Sequence, residues 1–190
     1  MEQKTAFDGA IRRRIYLCRH GEVSYVDDSG QHVKDSRVVP LTPYGHEQAT
    51  DMGKMLQDVF FDKAACSGLL RTQQTVAGIL AGRELDVEEI PALEEIGSGQ
   101  RDSPELVMDP NDVAYSFWRA AEPGAAFMGG ELFQGFYDRV TGGIEGLVAR
   151  TDWSQMLLVC HGGTNRAVLC WALGSGLNSF GVFEQDTCCV

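Results

Sequence analysis

Ile15-Tyr16-Leu17-Cys18-Arg19-His20-Gly21-Glu22, near the start of the chain, has a later counterpart in Met156-Leu157-Leu158-Val159-Cys160-His161-Gly162-Gly163. Each is a short apolar run that ends in a histidine followed by glycine. Runs of this length, bounded by glycine, read as buried strands of a sheet covered on both faces. Ligands of open α/β sheets bind at strand carboxyl ends, so both histidines fall where chemistry is expected.

Working outward, the segments between these runs alternate in period. Thr42-Pro43 supplies an N-cap and a first-turn proline, and Ala49, Met52, Leu56 and Val59 then recur at helical spacing. Lys63 to Cys66 reads as a short strand ending at Ser67. A helix follows from about Leu70, with Thr72, Thr75, Val76, Ile79 and Leu80 on or near its inner face. Val87 to Ile90 reads as another short strand, closed by Pro91. Leu132, Phe136, Val140, Ile144, Leu147 and Val148 form a long amphipathic helix, weakened by Gly142, Gly143 and Gly146. Gln155 to Cys160 is the clearest strand, Asn165 to Leu173 the helix after it, and Thr187-Cys188-Cys189-Val190 the opening of a further strand. The alternation predicts a three-layer α/β/α domain over 1–190, with a mainly parallel central sheet. Residues 1–10 read as a frayed leader. Residues 101–130, with Pro104, Pro110 and Pro123 among Tyr115, Phe117 and Trp118, read as an insertion or lid over the sheet. Those aromatics are either core or substrate-facing.

Composition narrows the function. A 190-residue chain with 44% hydrophobic residues buries a core without disulfide or metal staples. A formal charge of −11 repels nucleic acid and anionic membrane, so neither is an expected partner. Arg12-Arg13-Arg14 reads as a solvated approach to the first strand. No segment has the ~20 apolar residues of a membrane span, nor the pattern of a signal peptide. The expectation is a cytoplasmic protein. The six cysteines, with no C-x-x-C, read as reduced thiols, Cys18, Cys66, Cys160 and Cys170 lying in apolar surroundings.

The residues at the strand ends suit phosphoryl transfer. That reaction needs a nucleophile in line with phosphorus, positive donors around the equatorial oxygens, and a proton for the leaving oxygen. His20 can attack, with Gly21 permitting close approach. Arg19 and Arg71 are guanidinium forks matched to phosphate oxygens. His161, if protonated, is a further donor, and the amides of Gly162 and Gly163 open a helix N-terminus, a natural anion site. His46 reads as an exposed helical residue and His32 as a solvated loop residue.

These motifs resemble the histidine phosphatase superfamily, which includes the cofactor-dependent phosphoglycerate mutases. Arg19-His20-Gly21-Glu22 matches its signature. Leu41-Thr42-x-x-Gly45-x-x-Gln48-Ala49, Ser67-x-x-x-Arg71-x-x-Gln74-Thr75, Leu93-x-Glu95 with Gly99, Gly130-Glu131 before Arg139, and His161-Gly162-Gly163 follow in the family's order. The resemblance implies a phosphoglycerate mutase-like fold and a phosphohistidine at His20, assisted by His161. It also implies a phosphoryl group held by Arg19 and Arg71, with Thr42 and Gly162 also at the substrate, and Glu95 as general acid and then base. Glu94 competes for that last role. The implied activity is metal-independent, cofactor-free hydrolysis of a small phosphorylated metabolite.

Val23 and Val26 stand where mutases of the family carry Ser and Asn, Leu132 where the family often has Ser, and no basic, tyrosine-rich insertion is present. These departures favour a phosphatase over a mutase. A non-catalytic phospho-ligand or protein-binding relative and a zinc site of Cys18, His20, Cys160 and His161 remain alternatives. A homodimer is open as an assembly state.

Overall fold

The computed structural model of the protein describes residues 12–26, 29–31, 33, 35–99 and 115–190. The expected leader, His32 and the first part of the 101–130 insertion lie outside the described residues. Four strands, β1 (Arg14–Arg19), β2 (Lys63–Cys66), β3 (Val87–Glu89) and β4 (Gln155–Cys160), form one sheet in the order β1-β4-β2-β3, and every pairing is parallel. Among the described residues, the α-helices flanking this sheet are α1 (Pro43–Met55), α2 (Leu70–Ile79), α3 (Phe133–Ala149) and α4 (Gly162–Ala172).

Right-handed crossovers dictate which face each helix covers. From β1 to β2 and from β2 to β3 the chain moves one way across the sheet, so α1 and α2 share a face. From β3 it returns to β4, which places α3 opposite. Packing follows this division. Ile15, Leu17, Ala65, Met156, Leu158 and Cys160 meet Phe136, Val140, Ile144 and Leu147 of α3, with Ala167 and Val168 of α4. Tyr16, Cys18, Ala64, Cys66, Leu157 and Val159 meet Ala49, Met52, Val76 and Ile79 of the other layer. β4 is central and buried on both sides, which is why its sequence is continuously apolar. Each fully buried aliphatic there contributes roughly 1.5–3 kcal/mol by removal from water.

The expected elements are present, with three adjustments. α4 starts at Gly162, three residues before the expected Asn165. The expected strand at 187–190 is a turn at Thr187-Cys188, with Cys188 at φ 56°, although Cys188 N–H donates to Arg19 O and Arg19 N–H to Cys189 O, both at 3.1 Å. The tail therefore lies along the edge of β1 without extending the sheet. Arg13, expected in solvent, is docked: its guanidinium stacks 4.6 Å over Trp153 and donates to the Arg150 and Val148 carbonyls. In the described part of the insertion, Phe117 packs into a cluster with Phe127, Phe133 and Phe180 at centroid distances of 5.4–6.2 Å. Tyr115 and Trp118 are exposed. No described helix is long and apolar enough to cross a membrane.

Candidate active site

Parallel register brings the two His-Gly ends together. Arg19 pairs with Cys160 across β1 and β4, and the next residue's amide, His20 N–H, donates to Cys160 O at 3.0 Å. The His20 and His161 rings consequently stand 5.2 Å apart, centroid to centroid. Connections leave β1 and β4 toward opposite faces, so the crevice between their carboxyl ends is a topological switch point.

His20 is 4% exposed, and its Nδ1 lies 2.7 Å from Gly21 O. A carbonyl only accepts, so Nδ1 carries the hydrogen and Nε2 keeps its lone pair. Burial, with Arg71 and Arg19 nearby, lowers the His20 pKa to about 3 against the bond to Gly21. The ring is therefore neutral near pH 7, with Nε2 available as a nucleophile.

Arg19 and Arg71 are the positive charges of the cluster. Arg19 Nη1 donates to Gln185 O at 2.7 Å, and Arg71 Nη1 to Ser36 O at 2.8 Å. In both, Nε is buried without a partner, and no carboxylate among the described residues forms an ion pair with either guanidinium. Arg71 is 2% exposed, and burial lowers its pKa from the usual arginine range. Arg71 is thus a cation desolvated without a carboxylate counterion, a state that an anion would relieve.

His161 is fully buried. Its Nε2 lies 2.7 Å from Ser67 Oγ, and its Nδ1 has no partner. Burial, then Arg71, His20, Arg19 and Arg139, push its pKa well below the ordinary histidine value. It is thus a neutral imidazole in the free protein, and its service as a cationic donor requires a proton that arrives with an anion.

The two candidate acids part company. Glu95 turns to the start of α4, where Gly163 N–H donates to Oε2 at 3.0 Å and Thr164 N–H to Oε1 at 3.2 Å. This approach requires glycine, since a Cβ on Gly163 would sit 2.4 Å from Glu95 Oε1. Glu94 turns outward, where Arg37 grips it with two hydrogen bonds, Nη2 to Oε1 at 2.7 Å. Arg139 fixes the loop bearing both. It donates to the carbonyls of Ala92, Glu94 and Glu95 while Glu131 holds it from the other side at 2.7 and 2.9 Å.

Other motif residues build the frame. Thr75 Oγ1 accepts from Gly21 N–H at 3.0 Å, Gln48 Oε1 from Glu22 N–H and Gln74 Oε1 from Leu41 N–H, both at 2.8 Å. Gly21 passes so close to α1 that a Cβ would lie 2.6 Å from Gly45 O. Thr42 belongs to this frame: its hydroxyl caps α1 by accepting from Gly45 N–H and donates to Glu22 Oε2 at 2.6 Å. Both its bonding roles are thus taken by protein. Gly162 lies beside the Arg19 guanidinium, which a Cβ at this position would meet at 3.5 Å.

The four-residue zinc alternative does not assemble. Cys18 and Cys160 pack on opposite faces of the sheet, and no group of three or more His, Cys, Asp or Glu among the described residues is placed to hold a metal ion. Arg37, Ser67 and Gln185 carry contacts in the site that sequence reasoning did not assign. For Ser67 a signal existed, since it too ends a strand.

A model of the histidine phosphatase superfamily, branch 1, matches residues 15–190. The chain belongs to that superfamily. Adenosylcobalamin/alpha-ribazole phosphatase from Escherichia coli (strain K12) is 31% identical over 178 residues, spanning 93% of this chain and 87% of the relative. Phosphoserine phosphatase 1 from Hydrogenobacter thermophilus is 30% identical over 149 residues, spanning 77% and 70%. The crystal structure of the alpha-ribazole phosphatase from Shigella flexneri superposes with a TM-score of 0.73 at 31% identity, covering 91% of this chain and 86% of that one. This histidine phosphatase has a phosphoglycerate mutase-like α/β fold and is a phosphatase.

Proposed function

We propose that this histidine phosphatase hydrolyses the phosphomonoester of a small metabolite through a phosphohistidine at His20. The observation that carries the reading is the pairing of a neutral imidazole, bare at Nε2, with two guanidinium groups, Arg71 buried and Arg19 half-buried, whose buried Nε atoms and lack of carboxylate partners leave them uncompensated. Nε2 attacks phosphorus as the P–O bond to the leaving group breaks, and Arg19 and Arg71 hold the equatorial oxygens. Glu95, anchored beside His161, gives the leaving oxygen its proton. It then takes one from the water that attacks the phosphohistidine, releasing inorganic phosphate and restoring His20. Positive charge comes from arginine, so the reaction proceeds without a metal. Thr42 acts through the helix α1 it caps and the Glu22 carboxylate it holds, and the phosphate itself meets the arginines and the start of α4.

The relatives' names set the order of substrates to try: alpha-ribazole phosphate first, phosphoserine second. Brief exposure to radiolabelled substrate should leave acid-labile, alkali-stable phosphate on the wild type and none on His20→Ala. His20→Ala should lose activity by about 10⁴-fold or more, because the covalent route is gone. EDTA should leave the rate unchanged, bisphosphoglycerate should not be required, and vanadate should inhibit. Full activity in His20→Ala would sink the mechanism.

A further inference from the structure

Counting hydrogens along one buried chain of polar groups assigns a role to Ser67. Thr72 Oγ1 lies 2.7 Å from Leu69 O, a carbonyl that can only accept, so the single hydroxyl hydrogen of Thr72 is committed there. Thr72 therefore faces Ser67 Oγ, 3.0 Å away, with lone pairs alone. Two lone pairs at that distance repel, so Ser67 gives its own hydrogen to Thr72. Ser67 Oγ then has only lone pairs to offer His161 Nε2 at 2.7 Å, and the weak approach of Leu69 N–H at 3.4 Å completes its acceptors. All members are buried, so no water relieves the count.

We infer that Ser67, by spending its hydrogen on Thr72, fixes His161 in the Nε2–H form, so that a tetrahedral dianion binds only together with a proton delivered to His161 Nδ1. The two histidines are then complementary: His20 is bare at Nε2 and His161 at Nδ1. A bare Nδ1 beside a phosphoryl oxygen would set lone pair against lone pair. A protonated Nδ1 donates to that oxygen, while Nε2–H keeps its bond to Ser67. Arg19 from the end of β1, Arg71 from α2 and Arg139 from α3 all oppose protonation of His161, with neutral His20 opposite. The carboxylate held beside this network is Glu95, which accepts from Gly163 N–H two residues after His161. An arriving dianion overcomes the arginines' field, so proton uptake is coupled to anion binding.

This role rests on the proposed phosphoryl site but not on the covalent step, and the test separates them. Inorganic sulfate is the probe, being a dianion that does not titrate near neutrality. Calorimetry of sulfate binding in buffers of different ionisation enthalpy should show uptake of about one proton per sulfate at neutral pH. Thr72→Val frees the Ser67 hydrogen for His161 Nε2 and lets the ring place its own hydrogen on Nδ1, so uptake should fall to near zero while sulfate still binds. Ser67→Ala should do the same by removing the acceptor for Nε2–H, and Ser67→Thr should retain uptake. The ¹⁵N spectrum of the free wild type should place the His161 hydrogen on Nε2. An Nδ1–H form in that spectrum, no uptake by the wild type, or uptake unchanged in Thr72→Val and Ser67→Ala would each overturn the assignment. So would uptake abolished by Glu95→Gln alone, which would place the proton on that carboxylate. Loss of phosphoenzyme trapping with uptake intact would strike the covalent mechanism and spare this role.

Discussion

The inner end of the crevice and its rim treat charge in opposite ways. Inside, Arg19 and Arg71 bond to carbonyls and keep buried Nε groups without partners. At the rim, Arg37 and Glu94 have already neutralised each other through a paired contact whose arginine side chain is 62% exposed. The inner cations raise the free energy of the empty protein and are relieved by a dianion, whereas the rim pair is complete without substrate. On the proposed mechanism, charge stabilisation common to every phosphomonoester therefore belongs to the inner end. The rim can influence only which leaving group is accepted.

The sharpest way to break this division is to remove an inner cation. Arg71→Ala should cost about 10²–10³-fold in kcat/KM on every phosphomonoester alike, as loss of a pre-positioned charge donor does. Arg71→Lys should recover little, because a single ammonium cannot reproduce the fork. Steady-state rates on alpha-ribazole phosphate, phosphoserine and p-nitrophenyl phosphate would check this. A loss confined to one substrate would mean that the inner end also discriminates.

Next in size is the contrast between neighbouring carboxylates. Glu95→Gln should slow hydrolysis of alkyl phosphates by about 10²–10³-fold, and of p-nitrophenyl phosphate much less, because that leaving group needs no proton. Glu94→Gln should stay within about tenfold on both, since it loses only a rim pair. Reversal of the two results would move proton transfer to the rim.

The inner end should also declare itself in stability. The His20 pKa is lowered from 6.5 to about 3 in the folded state, so the unfolded chain binds its proton more readily. This contribution is fully present above pH 6.5 and is lost as pH falls from there toward 3. Between pH 7 and pH 4.5 the loss attributable to His20 is on the order of 2 kcal/mol. Urea denaturation of wild type and His20→Asn at both pH values isolates it, because the remaining acid sensitivity is shared. Equal acid destabilisation of the two proteins would refute a buried neutral His20.

How much of this was legible follows the same inner–outer line. The strand-histidine-glycine runs exposed the sheet and both histidines because strand burial leaves a one-dimensional trace, a continuous apolar run. Arg71 was legible only through its motif. The start of α4 was placed late because glycine is a poor helix former. Gly162 and Gly163 nevertheless open that helix, and at Gly163 the Glu95 carboxylate occupies the space a Cβ would need. Long-range partners leave no such trace. Gln185 reaching Arg19, Arg37 reaching Glu94, and Arg139 holding the acidic loop join residues far apart in the chain, and nothing local marks them. Phe117 and Trp118 are adjacent in sequence, yet one is packed among phenylalanines and the other exposed, which period alone could not divide.

The smallest expected effect sharpens the rim half of the comparison. An exposed Arg–Glu pair contributes about 0–1 kcal/mol, so Arg37→Ala should leave the melting temperature within a few degrees. Its rate on p-nitrophenyl phosphate should stay within about fivefold, the equivalent of roughly 1 kcal/mol. The variant does leave Glu94 uncompensated at the mouth of the crevice. That new negative charge should disfavour a leaving group carrying its own carboxylate more than a neutral one. Phosphoserine should therefore lose more kcat/KM than p-nitrophenyl phosphate, the gap should appear mainly in KM, and salt should shrink it because the rim is screened. The double variant Arg37→Ala with Glu94→Gln should restore the original ranking. If the single variant slowed both substrates equally, or salt left the gap untouched, the rim pair would be a structural tie for the 36–38 turn and not an electrostatic filter.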